Sequence, residues 1–134
     1  MKNLTEYEAA DQLPVRQWEP SVVQIRQYAE ASGDFNPIHL DDKYARQAGL
    51  GGLIAHGMLT MAQMEAMLLD WIGHEGLLTK INVRFEHVVR PGDTITFTGL
   101  VRARAENTLV CDLAAENQRT EKVMTGIAHV TLKN

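Results

Sequence analysis

The densest run of groups able to do proton chemistry is Gly33-Asp34-Phe35-Asn36-Pro37-Ile38-His39. Its carboxylate and imidazole ordinarily titrate near about 3.9 and 6.5, and burial or mutual charge moves both values. An Asp–His pair of this kind can grip a water molecule and move its proton. Asn36-Pro37 is a turn dipeptide. Pro37 biases Asn36 away from helical geometry, so the chain can bend and bring Asp34 back toward His39. A structural reading stands beside the chemical one: Asp34 and Asn36 cap the turn, and His39 fills a pocket. From spacing alone both are open.

A second feature is Ile54-Ala55-His56-Gly57, which runs directly into an apolar helical stretch. The first turn of a helix carries unpaired N–H groups and the positive end of the dipole. Gly57 would let a ligand approach those N–H groups closely, as a carbonyl oxygen acquiring negative charge requires. The alternative is a glycine kept only for tight packing where the helix begins.

Both features depend on the elements around them. Ser21 can N-cap a helix from Ser21 to Ala31, with Gln24 three positions on, Val22, Ile25 and Ala29 on one side, and Gly33 as the stop. Asp41 to Ala48 reads as a shorter helix closed by Gly49. Gly57 to Ile72 is apolar around almost its whole circumference, so this helix, roughly 24 Å long, must be covered on most sides. Beyond Leu78 the period becomes two. Strands are expected around Ile81 to Arg90, Ile95 to Ala105, Leu109 to Ala115 and Val123 to Leu132, with turns at Pro91-Gly92-Asp93 and Glu106-Asn107. Their short connections predict an antiparallel meander of four, with Val15 to Glu19 as a further edge strand. The fold class is therefore α+β, a curved antiparallel sheet wrapped around one apolar helix at about residues 57–72. A second copy of the chain is the natural cover for that helix, which predicts a homodimer; burial by the first helix and the loops is the alternative.

Composition narrows the setting. The 134 residues are 45% apolar and 22% charged, a balance expected of a single globular domain spanning 1–134. No apolar run reaches the roughly 18 to 20 residues of a bilayer crossing, and Met1 to Val15 lacks the pattern of a secretory signal, so a soluble cytoplasmic protein is expected. Cys111 is the only cysteine, which excludes an internal disulfide and a CxxC metal or redox site. The net charge of −4 argues against general affinity for nucleic acid or an anionic membrane. It divides unevenly, with 5 basic and 11 acidic residues in 1–75 (−6) and 8 against 6 in 76–134 (+2).

Tyr28-Ala29-Glu30-Ala31-Ser32-Gly33-Asp34-Phe35-Asn36-Pro37-Ile38-His39-Leu40-Asp41, followed by Ala45 and then by Ala55-His56-Gly57-Met58-Leu59, resembles the MaoC-like, (R)-specific enoyl-CoA hydratase family (hydratase 2). The similarity continues through Asn82-Val83-Arg84-Phe85 and Val89-Arg90-Pro91-Gly92-Asp93, and is nearest to the short, single-module members, including bacterial 3-hydroxyacyl-thioester dehydratase subunits. The resemblance implies a hot-dog fold, usually dimeric with active sites near the interface. It implies that Asp34 and His39 hold and activate water and that the Gly57 N–H is the oxyanion donor. Gly33 and Asn36 would shape the catalytic loop, and His56 would support it. The implied reaction is reversible syn addition of water to a trans-2-enoyl thioester, giving the (R)-3-hydroxyacyl thioester. No metal and no redox cofactor is implied; coenzyme A or the phosphopantetheine arm of an acyl-carrier protein belongs to the substrate.

One position departs from the pattern. Some hydratases of the family carry a serine eight residues after the Gly of His-Gly, where this chain has Glu65, so that role does not transfer. A catalytic Glu65 would suit a hot-dog acyl-thioesterase instead; an interface or solvent-facing carboxylate is the plainer reading. A third option is a non-catalytic acyl-thioester-binding subunit with a heteromeric partner, although an intact Asp34–His39 pair favours an active chain. Leu50, Leu53 and Ile54 with Met58, Met61, Met64 and Met67 could line an adaptable acyl tunnel or simply pack the core. Arg84, Arg90, Arg102 and Arg104 are candidates for coenzyme A phosphates or an acidic carrier protein, unless they are solvated strand charges.

Overall fold

The computed structural model describes residues 2–133. Three helices, α1 (Val22–Ser32), α2 (Asp42–Gln47) and α3 (Gly57–Ile72), and five strands, β1 (Arg16–Trp18), β2 (Gly76–Phe85), β3 (Ile95–Ala105), β4 (Thr108–Glu116) and β5 (Lys122–Leu132), follow one another along the chain. All strand pairs are antiparallel, in the order β1-β3-β4-β5-β2. The sheet wraps α3, which is the hot-dog arrangement that the sequence implies.

Helix boundaries follow from local chemistry. Ser21 caps α1 by accepting from the Gln24 N–H, and Asp41 caps α2 by accepting from the Tyr44 N–H. Of the apolar side of α1, Ile25 and Ala29 are buried, while Val22 stays exposed. α3 has the bounds its composition predicts and ends at Gly73.

The expected four-strand meander holds for β3, β4 and β5 only. β2 pairs with β5, not β3. Short turns join β3 to β4 and β4 to β5, whereas residues 86–94 form a connection long enough to cross the end of the sheet. That crossing is tied down along its length. The N–H groups of Glu86 and His87 donate to Val123 O (2.9 and 3.4 Å), and Ala55 N–H donates to Val89 O at 2.7 Å. Asp93, buried, accepts from Arg90 N–H and Gln118 Nε2, both at 2.9 Å.

The core is one apolar cluster between α3 and the concave face of the sheet. Met64, Leu68, Ile95, Phe97, Val101, Leu109, Met124 and Val130 are fully buried within it, each contributing roughly 1.5–3 kcal/mol of transfer free energy. Cys111 lies in β4 at 0% exposure, and desolvation pushes its thiol pKa up to about 12. The sheet covers α3 on one side only. Leu59, Thr60, Met64, Met67, Leu68 and Ile72 are buried, but Met58 and Leu69 are 55% and 53% exposed. At the sheet margin, Ile81 and Val83 of β2 are half-buried and Phe85 is exposed. No helix among the described residues is long and apolar enough to cross a membrane.

Candidate active site

The loop between α1 and α2 is built by its own side chains. Gly33 leaves α1 with φ +79° and ψ 7°, a left-handed conformation that glycine adopts without the Cβ penalty other residues meet. Asp34 Oδ1 then accepts from Asn36 N–H, and Asn36 Oδ1 accepts from Ile38 N–H, each at 3.2 Å. These two Asx turns lead into the 3₁₀ turn Pro37–His39. The capping role foreseen for Asp34 and Asn36 is thus real, and it is also what points His39 inward.

His39 is buried, and its Nδ1 lies 2.8 Å from Ile54 O. A carbonyl only accepts, so Nδ1 carries the proton and Nε2 presents a lone pair. Desolvation is the main force lowering the His39 pKa below its ordinary 6.5; neighbouring His56 adds to it, while the Ile54 bond and Asp34 oppose it. His39 is therefore a neutral base around pH 7.

His56, the N-cap residue of α3, is 2% exposed. Its Nε2–H donates to Asp34 O at 3.0 Å, which leaves Nδ1 as the unprotonated nitrogen. The two imidazoles stack with centroids 3.8 Å apart and planes at 26°, and Tyr28 of α1 leans on His56 at 4.9 Å. Through these contacts α1, the Asp34 loop and the start of α3 meet at one point.

One carboxylate oxygen of Asp34 and one ring nitrogen each of His39 and His56 lie within 4.8 Å of one another. A single water hydrogen-bonded to two such atoms would hold them about 4.6 Å apart, so the spacing suits a shared water. The trio is also the one group among the described residues whose donors converge closely enough for a metal ion. Among the described residues His39 Nε2 and Asp34 Oδ2 are left without a protein hydrogen bond, while His56 Nδ1 is unpaired but buried.

Beside His39 opens a cavity of about 420 Å³, walled by Ile54, Ala55, Gly57 and Thr60 on one side and by Phe85, Val88, Val89 and Val123 among others across from them. Asp34 is exposed and does not line it; its carboxylate reaches the cavity only through its proximity to His39. A Cβ on Gly57 would sit 3.2 Å from the Phe85 ring, so an absent side chain keeps this corner open. By helix geometry the Gly57 N–H has no partner within α3, and no other acceptor is recorded for it among the described residues.

The remaining candidates are distributed unevenly. Ile54 lines the cavity, but Leu50, Leu53, Met58 and Met61 do not. Arg90 holds the segment before it by donating to Gly52 O at 3.3 Å and to Leu50 O, and Asp42 accepts from Leu53 N–H at 3.2 Å. Met58 faces outward at 55% exposure, and Met61 packs against the core. Glu65 is half-buried, eight residues or about 12 Å along α3 from Gly57, and absent from the cavity wall. None of the four candidate arginines lines the cavity. Arg90 is committed to backbone carbonyls, Arg102 to Asp112, and Arg104 to Thr5 O and Tyr7 O. Thr60 escaped the sequence reading; Phe85, Val88, Val89 and Val123 were read only as parts of strands or of the family motif, not as cavity residues. For Thr60 a signal existed: a hydroxyl in an otherwise apolar turn directly after Gly57.

The fold and site define a MaoC-like protein, and a family model for the MaoC like domain matches residues 4–123; the chain belongs to that family. Among curated proteins, the fatty acid synthase subunit beta of Aspergillus oryzae is 38% identical over 106 residues, covering 77% of this chain and 5% of that protein. The peroxisomal hydratase-dehydrogenase-epimerase of Saccharomyces cerevisiae is 39% identical over 64 residues, covering 48% of this chain and 7% of that protein. This chain thus spans only a small part of the curated relatives it matches. Among solved structures, unliganded R-hydratase PhaJ1 from Pseudomonas aeruginosa superposes with a TM-score of 0.89 at 26% identity, over 97% of this chain and 84% of that one. An (R)-hydratase from A. caviae gives 0.88 at 24% identity, over 96% and 98%, which bears on the fold.

Proposed function

We propose that this chain is an (R)-specific enoyl-thioester hydratase and 3-hydroxyacyl-thioester dehydratase. The observation that carries the proposal is the His39 tautomer: Nδ1–H is fixed on Ile54 O, which leaves the Nε2 lone pair for a substrate or water, on a ring that lines an apolar cavity with Gly57 and has the Asp34 carboxylate as a neighbour. In the hydration direction Asp34 and His39 orient a water toward C3 of a trans-2-enoyl thioester, and His39 takes a proton as the C–O bond forms. Electron density moves from the double bond into the thioester carbonyl, whose oxygen is met by the Gly57 N–H and the positive end of α3. Proton return to C2 completes syn addition, and dehydration is the same path reversed. These steps need no redox cofactor. The thiol carrier, coenzyme A or an acyl-carrier protein, arrives as part of the substrate. The working unit is a cytoplasmic homodimer or a pair with a related subunit.

The test is to mix the protein with trans-2-butenoyl-CoA and to follow conjugated-thioester absorbance and free thiol separately. Loss of absorbance without thiol release is expected. Thiol release without hydration would point to the thioesterase reading, which the distance of Glu65 from the cavity disfavours. Neither change, with tight binding, would point to a non-catalytic subunit.

A further inference from the structure

Two buried polar atoms near the cavity lack a partner, His56 Nδ1 and Thr60 Oγ1. The first is the lone-pair nitrogen left by the His56 bond to Asp34 O. The second has no such explanation. Thr60 is 2% exposed, lines the cavity with Gly57 and His39, and lies three residues into α3 from Gly57. A helical threonine commonly donates its hydroxyl to the carbonyl four residues earlier. Here that carbonyl, His56 O, takes the N–H groups of Leu59 and Thr60 at 3.1 and 3.3 Å, and the hydroxyl stays unpaired.

Helix geometry says where that hydroxyl goes. Residues i and i+3 share a face, and every Cα–Cβ bond tilts toward the N-terminus, so the Thr60 side chain leans back over Gly57. Gly57 and Thr60 therefore wall one cavity at the positive end of α3; the Thr60 hydroxyl is buried behind that wall, and the second χ1 rotamer open to a helical threonine is what would present it beside the Gly57 N–H. A side chain with a single short rotor also holds its proton in place at little entropic cost.

We propose that Thr60 is a catalytic residue that donates a hydrogen bond to the thioester carbonyl oxygen beside the Gly57 N–H, making a two-donor oxyanion site. The inference rests on the hydratase reading and deepens it. Thr60 forms and breaks no covalent bond. Its proton stays on Oγ1, and the hydrogen bond tightens as the carbonyl oxygen gains enolate charge.

The decisive variants are Thr60→Val, which keeps the shape and removes the hydroxyl, Thr60→Ser, which keeps the hydroxyl, and Thr60→Ala as a second hydroxyl-free form should Val fail to fold. With trans-2-butenoyl-CoA, kcat of Thr60→Val should fall about 100-fold with KM changed little, whereas Thr60→Ser should stay within about threefold of the parent. Butanoyl-CoA carrying ¹³C at the carbonyl, bound but unreactive, gives a readout free of turnover. Its C=O stretch should be lowered on the parent and on Thr60→Ser, and should return toward the solution value on the hydroxyl-free variants. A parent-like kcat and an unshifted band in the hydroxyl-free variants would overturn the proposal and leave the hydratase reading standing. A parent that binds butanoyl-CoA with a Thr60-dependent band yet never hydrates would overturn the hydratase reading and keep the donor role. A chain that binds no acyl-CoA would overturn both.

Discussion

At the scale of single residues, the site works by fixing protons with backbone carbonyls. Ile54 O settles which nitrogen of His39 carries hydrogen, and Asp34 O does the same for His56. Both rings are thereby held in one orientation, each with a defined N–H on a backbone carbonyl. Asp34→Asn and His39→Gln should each lower hydration by about 100-fold or more while leaving circular dichroism unchanged; full turnover in either variant removes that residue from the mechanism. Burial lowers the His39 pKa, so the base form survives to pH values below the ordinary 6.5. The acid limb of kcat/KM is expected below that value, and a limb at or above it would contradict the burial argument. Folding is linked with the same sign. Between the lowered native pKa and 6.5 the unfolded chain binds more protons, so stability from this group is full above 6.5 and is lost as pH falls through the native value.

At the scale of elements, the cavity lies where the start of α3 meets the end of β2. Phe85, the last residue of β2, faces Gly57, the first of α3. Phe85→Ala should deepen the cavity and raise the ratio of kcat/KM for eight-carbon over four-carbon enoyl-CoA by about tenfold; an unchanged ratio would place the acyl chain elsewhere. Much of this was legible in the sequence. The cap at Ser21, the bounds of α3 and the alternating faces of β3 and β4 are local properties, and local chemistry decides them. The loop motif likewise marked Asp34, Asn36 and His39. Strand order was not legible, because alternation marks a strand without saying which neighbour it takes, and the 86–94 connection carried β2 past β3 to β5. The acyl wall was misplaced for a related reason. Periodicity shows that Met58 and Met61 are apolar, yet only packing shows that α3 turns Gly57 and Thr60, not Met58, toward the cavity.

At the scale of the molecule, one chain leaves its apolar helix half dressed. Met58 and Leu69 are exposed on α3, and β2 ends the sheet with a free hydrogen-bonding edge among the described residues. Free edges and exposed apolar faces are costly to leave in water, so a dimer is the expected state. Sedimentation at micromolar concentration should give twice the 15.0 kDa chain mass; a single 15.0 kDa species would show that α3 manages without a second copy. The buried Cys111 has a practical consequence. With its thiol pushed up to about 12 in a strand flanked by β3 and β5, it is closed to alkylating and disulfide reagents until the sheet itself opens. Native protein therefore contributes no fast background to a thiol-release assay, and its slow labelling serves as a clock for global unfolding, at one equivalent per chain, with no added probe.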